Sequence, residues 1–71
     1  MTGGPTFSLN GERRPWSDIT VGALLSDAGV DVARGGVAVA RNGEVVPRPS
    51  WDQTAVQPDD RIEIVHIVRG G

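Results

Sequence analysis

His66 is the only histidine in a chain of 71 residues that contains no cysteine. A lone histidine in a strand-like run is far more often structural or solvated than a ligand or a base, so it is given no role. The hydroxyls of Ser17, Ser26 and Ser50 have no partnering base that the sequence locates, which leaves nucleophilic catalysis unsupported. Asp59 and Asp60 suggest a paired acid and base or a hard-cation site. A calcium loop, however, needs several more spaced oxygen ligands, and adjacent acids ahead of a strand are read as a solvated turn. Gly3-Gly4 and Gly35-Gly36 lack any phosphate-loop pattern. No catalytic residue and no metal ligand is assigned. What remains is Gly70-Gly71, at the end of the run IVHIVRGG. A carboxylate that must enter a narrow active site needs a thin, extendable stem, and glycine offers no side chain and the widest φ/ψ freedom.

The elements that would carry this tail are read from hydrophobic periodicity. In TFSLNGERRPW, Phe7 and Leu9 alternate with Thr6 and Ser8, and Asn10-Gly11 comes next; this predicts a strand, a two-residue hairpin turn and a second strand that Pro15 keeps short or at an edge. Val21, Leu24, Leu25 and Ala28 fall at i, i+3, i+4 and i+7 and share one helical face, with Ser26 and Asp27 turned to water. Thr20 is placed to cap that helix, Ile19 and Leu24 have the spacing of a hydrophobic staple, and Gly29 suits a left-handed stop. Val37 and Val39 alternate with Ala38 and Ala40 before a second Asn-Gly pair, Asn42-Gly43, turns the chain into Glu44-Val45-Val46. The stretch from Pro47 to Asp60 holds too many turn formers for a regular element, with Trp51 and Val56 as anchors onto the core.

The last strand is expected over Arg61–Arg69. Alternation puts Ile62, Ile64, His66 and Val68 on the face beneath the helix. It leaves Val65 and Ile67 on the other face, with Arg61, Glu63 and Arg69, where a contiguous patch favours a protein partner. The expected class is α+β: a mixed sheet of about five strands with one main helix packed on one face, because a single amphipathic helix covers only one side.

Bulk properties agree with one small domain spanning 1–71. A chain near this size buries only about 60% of its unfolded surface, so the core must be small. Seven arginines and no lysine against nine acids leave a net charge of -2, which disfavours a phosphate-neutralising surface and hence a nucleic-acid partner. The longest apolar run, Val37 to Ala40, is far short of the roughly 20 residues that cross a bilayer, so no membrane role is expected. The absence of cysteine is compatible with a reducing compartment, and the cytoplasm is the expected location.

The segments VAVARNGEVVPRPSW and PDDRIEIVHIVRGG, with ITVGALL upstream, together resemble the ThiS family of sulfur carriers of thiamine thiazole biosynthesis. The likeness runs from Phe7 to Gly71. Where the family often has Asp-Gly-Asp before the last strand, this chain has Pro58-Asp59-Asp60, which alters a turn. Relatives that serve molybdopterin synthase share the fold and the tail but less of the pattern over 37–51.

The resemblance implies a ubiquitin-like β-grasp fold with a flexible tail over 69–71. It also implies a protein that is not an enzyme and binds no cofactor itself. An E1-like, ThiF-type enzyme would use ATP and magnesium to adenylate the Gly71 carboxylate, with Gly70 as stem. A desulfurase would deliver the sulfur, and a ThiG-type thiazole synthase would consume the resulting thiocarboxylate. Val65, Ile67 and Arg69 would meet these partners. The residues alone leave open a carrier for molybdopterin, cysteine or a specialised metabolite, and a ubiquitin-like modifier or plain binding module.

Overall fold

Both Asn-Gly pairs form the turns their chemistry favours. Asn10 and Gly11 have φ of 52° and 82°, and Asn42 and Gly43 have φ of 53° and 86°. Two consecutive left-handed residues twist a hairpin in the same sense as its strands. In the computed structural model, which describes residues 3–30 and 36–66, the first turn joins β1 (Thr6–Leu9) to β2 (Glu12–Pro15) in antiparallel register, Leu9 opposite Glu12 and Thr6 opposite Pro15. The second joins β3 (Val37–Arg41) to β4 (Glu44–Val45), with Arg41 opposite Glu44. Pro15 ends an edge strand, as its missing N–H requires.

Between the hairpins lies α1 (Val21–Asp27). Thr20 Oγ1 accepts the Ala23 N–H at 3.1 Å, which satisfies one of the free donors of the first turn. At the other end the Val30 N–H donates to the Leu25 carbonyl at 3.0 Å and the Gly29 N–H to that of Ser26 at 3.1 Å. Gly29 adopts φ 78°, and together these bonds form a Schellman stop. Val21, Leu24 and Leu25 are buried. Ala28, expected on the same face, is exposed, because the helix ends at it.

β5 (Arg61–His66) enters the middle of the sheet. It runs parallel to β1, with Ser8 opposite Arg61 and Leu9 opposite Ile62. It runs antiparallel to β3, from Arg41 opposite Ile62 to Val37 opposite His66. The five-stranded sheet has the order β2-β1-β5-β3-β4, a mixed sheet in the β-grasp arrangement. One face of it, with Phe7, Leu9, Val39, Ile62 and Ile64, joins Val21, Leu24 and Leu25 of the helix in a single core.

The connection from β4 to β5 is more regular than its composition suggests. Arg48–Gln53 is a 3-10 helix with proline in its first turn, and it places Trp51 in the core, where the indole N–H donates to the Val46 carbonyl at 2.8 Å. Val56 is fully buried, and its carbonyl accepts the Trp16 indole N–H at 2.7 Å. Both expected anchors therefore sit where the sequence suggested.

Candidate functional site

The site is built around β5, the strand that leads to Gly70-Gly71. Its start is fixed by Asp60, which contradicts the expectation of a solvated acidic turn: only 5% of Asp60 is exposed. Its Oδ2 accepts from Arg41 Nε at 2.6 Å and from the Gln57 N–H at 2.8 Å, and its Oδ1 accepts from Asn42 Nδ2 at 2.9 Å. Burial pushes the carboxyl pKa up. The bonds from Arg41, Gln57 and Asn42 outweigh it and hold the group below the ordinary carboxylate value. Asp59 alone is the exposed acid of this turn, in a left-handed conformation at φ 69°.

Both hairpin turns also bind β5 through their asparagines. Asn42 Oδ1 accepts the Arg61 N–H at 2.9 Å, and Asn10 Oδ1 accepts the Ile64 N–H at 2.8 Å. The asparagine that supplies the left-handed turn thus also pairs a backbone donor of the neighbouring strand.

Further along, the face away from the helix is open. Val65 is 54% exposed and Val45 is 74% exposed, and they are the exposed large hydrophobics among the described residues. Cross-strand partners share a face, so Ala38 lies beside Val65 and Ala40 beside both Glu63 and Val45. The result is a small apolar field, Ala38, Ala40, Val45 and Val65. At the start of the strand it meets a polar row in which Ser8 stands opposite both Arg13 and Arg61. The structure places Val65 as the sequence indicated. It adds Val45, which a two-residue strand hides from any alternation test. Ile67, Val68, Arg69, Gly70 and Gly71, and the flexible tail expected over 69–71, lie outside the described residues.

His66 departs from the alternation. Its register aligns it with Ile62 and Ile64, yet it is exposed, because a cleft and not the helix body faces this end of β5. Among the described residues no group of three or more histidine, cysteine or acidic side chains is placed to hold a metal ion. Among them, too, no helix is long and apolar enough to cross a membrane.

Comparison with known proteins places this geometry in context. A model of the ThiS family matches residues 7–71. The chain is similar to the crystal structure of a thiamine biosynthesis protein, ThiS, from Geobacter metallireducens, at 32% identity and a TM-score of 0.78 over 93% of this chain and 99% of that one. A solution structure of a thiamine biosynthesis protein from the same organism superposes with a TM-score of 0.74, at 32% identity, covering 93% of this chain and 87% of that one. In sequence the chain is 48% identical over 64 residues to a thiazole synthase of Paramagnetospirillum magneticum. That match takes in 89% of this chain and 19% of the synthase, so the chain spans about one fifth of that relative.

Proposed function

The chain belongs to the ThiS family, and from that premise we propose that it is a sulfur carrier of thiamine biosynthesis whose working group is the carboxylate of Gly71. The observation that carries this reading is the family match itself, which runs through Gly71 in a chain whose central strand leads to the glycine pair beside an exposed apolar field. An adenylating enzyme of the ThiF type brings ATP and magnesium. A carboxylate oxygen of Gly71 attacks the α-phosphorus, the bond to pyrophosphate breaks, and an acyl adenylate forms. Sulfide then attacks the carbonyl carbon and AMP leaves, which yields the thiocarboxylate. With a desulfurase persulfide as donor, its terminal sulfur attacks the carbonyl carbon, AMP leaves and an acyl disulfide forms. A second thiol then attacks the desulfurase cysteine sulfur and forms a disulfide with it, and the terminal sulfur leaves as the same thiocarboxylate.

No side chain of the carrier enters these steps. Its contribution is position. From His66 to Gly71 is five residues, which reach at most about 17 Å when extended. An enzyme that holds Gly71 therefore lies against the end of β5, where Val65 and its neighbours offer an apolar contact, and the proposal extends that contact to Ile67 and Arg69. The similarity to a protein named thiazole synthase supports an enzyme of that kind as the consumer of the sulfur. The cytoplasm is the proposed location.

Removal of Gly71 tests the reading. The truncated chain is expected to keep its circular dichroism spectrum and thermal midpoint and to lose ATP-dependent sulfur loading entirely. Loading that persists in the truncated protein contradicts it.

A further inference from the structure

The two edges of β5 are treated differently. On one side β3 pairs with it as far as Val37 opposite His66. On the other, β1 stops at Leu9 opposite Ile62 and turns away at Asn10-Gly11. Asn10 spans the gap for one more donor, taking the Ile64 N–H. Backbone groups alternate between the two edges, so His66 is the next residue to face this side, and no described strand pairs with it there. Beside that edge lies a cleft of about 440 Å³. Leu9, Ala28, Val30 and Ile64 give it apolar walls, and Glu12, Arg14 and His66 border it. Glu12 and Arg14 are paired with each other at 3.1 Å.

We propose that this cleft is the docking socket for an extended strand of the adenylating enzyme, which pairs with the edge at His66 that no described strand occupies and inserts an apolar side chain between Ala28, Val30 and Ile64. The inference rests on the proposed function. Reach supports it: Gly71 lies within about 17 Å of His66, so the enzyme's surface must come to this end of the strand. Discrimination selects the enzyme. Before loading, the Gly71 carboxylate is chemically the same as any other C-terminal carboxylate, so the adenylating enzyme must recognise the folded domain beside it. After loading, the thiocarboxylate is itself a mark that the sulfur-consuming enzyme can select. Main-chain pairing with a side-chain pocket alongside is a recognised way to bind an extended edge. The cleft and the Val65 field lie on opposite faces of the sheet, so the two surfaces are separable by mutation.

The absence of cysteine allows a test that does not depend on refolding. Ala28, exposed at the helix C-cap with φ -81°, is replaced by cysteine, and the folded Ala28→Cys protein is labelled either with a methylthio group or with a bulky aromatic maleimide. The expected result is ATP–pyrophosphate exchange with a KM raised at least about tenfold by the bulky adduct relative to the methylthio form, with kcat unchanged. Sulfur transfer from preloaded, bulky-labelled carrier to the thiazole synthase is expected to match that from unlabelled carrier. An unchanged KM, or equal loss in both assays, overturns the socket. If the unmodified chain supports no exchange at all, the proposed function fails first and the socket with it.

Discussion

The two ends of β5 belong to one strand and have opposite surroundings. At its start, Asp60 is buried and takes three hydrogen bonds, one from a guanidinium, and the Asn42 and Asn10 side chains bind the Arg61 and Ile64 N–H groups. At its end, Val65 is 54% exposed, His66 is exposed, and among the described residues pairing continues only on the β3 side. The difference follows the elements that flank the strand, together with the reversal of its apolar and polar pattern at Val65-His66. Polar bonding is concentrated where the strand enters the core, and open surface where it leaves. Under the proposed function, a domain arranged this way has a fixed base from which to present the glycine pair.

Substitutions at the two ends should therefore divide into losses of stability and losses of binding. The largest stability effect is expected for Asp60→Ala, which strands Arg41, Asn42 and the Gln57 N–H at once. A loss of about 3 kcal/mol in urea unfolding checks it. The pH dependence has a definite sign: the folded pKa is lowered, so this stabilisation is complete above the unfolded value, about 3.9 for aspartate. It declines as the pH falls through the lowered folded value, and an acid titration of unfolding should show the wild-type advantage over Asp60→Ala vanish at the acidic end. Next come the asparagines. Asn42→Gly keeps the left-handed turn but removes both a bond to Asp60 and one from Arg61, and about 2 kcal/mol is expected. Asn10→Gly removes only the bond from Ile64, and about 1 kcal/mol is expected. Equal effects would break the claim that β5 is held more strongly at its start. The smallest stability change belongs to Val65→Asp, at about 1 kcal/mol or less, while calorimetry should show binding to the tail-processing enzymes weakened about tenfold.

The distinction also explains which features could be read from the sequence. The Asn-Gly turns, the helix stop at Gly29 and the exposure of Val65 depend on local conformation or on a two-residue period, and these survive in one dimension. The burial of Asp60 depends on Arg41 and Asn42, 19 and 18 residues away, so adjacent acids looked like a solvated turn. The 3-10 helix over Arg48–Gln53 has a tighter period than an α-helix and lies among prolines, which left no amphipathic signature. His66 fits the inward register, but whether an inward position is covered depends on where α1 ends. Val45 is invisible to alternation because its strand has two residues. Of the described part of the candidate site, the exposure of Val65 was legible; the cleft was not, since it exists only between elements that the chain brings together.

The most direct test of the central claim is the intact mass of the protein after incubation with the adenylating enzyme, ATP and a sulfur source, with fragmentation to locate any change. A gain equal to the replacement of one oxygen by sulfur, located at Gly71, is the predicted result. An unchanged mass, obtained while the same enzyme loads a control carrier, or a gain mapped to any other residue, would contradict the account.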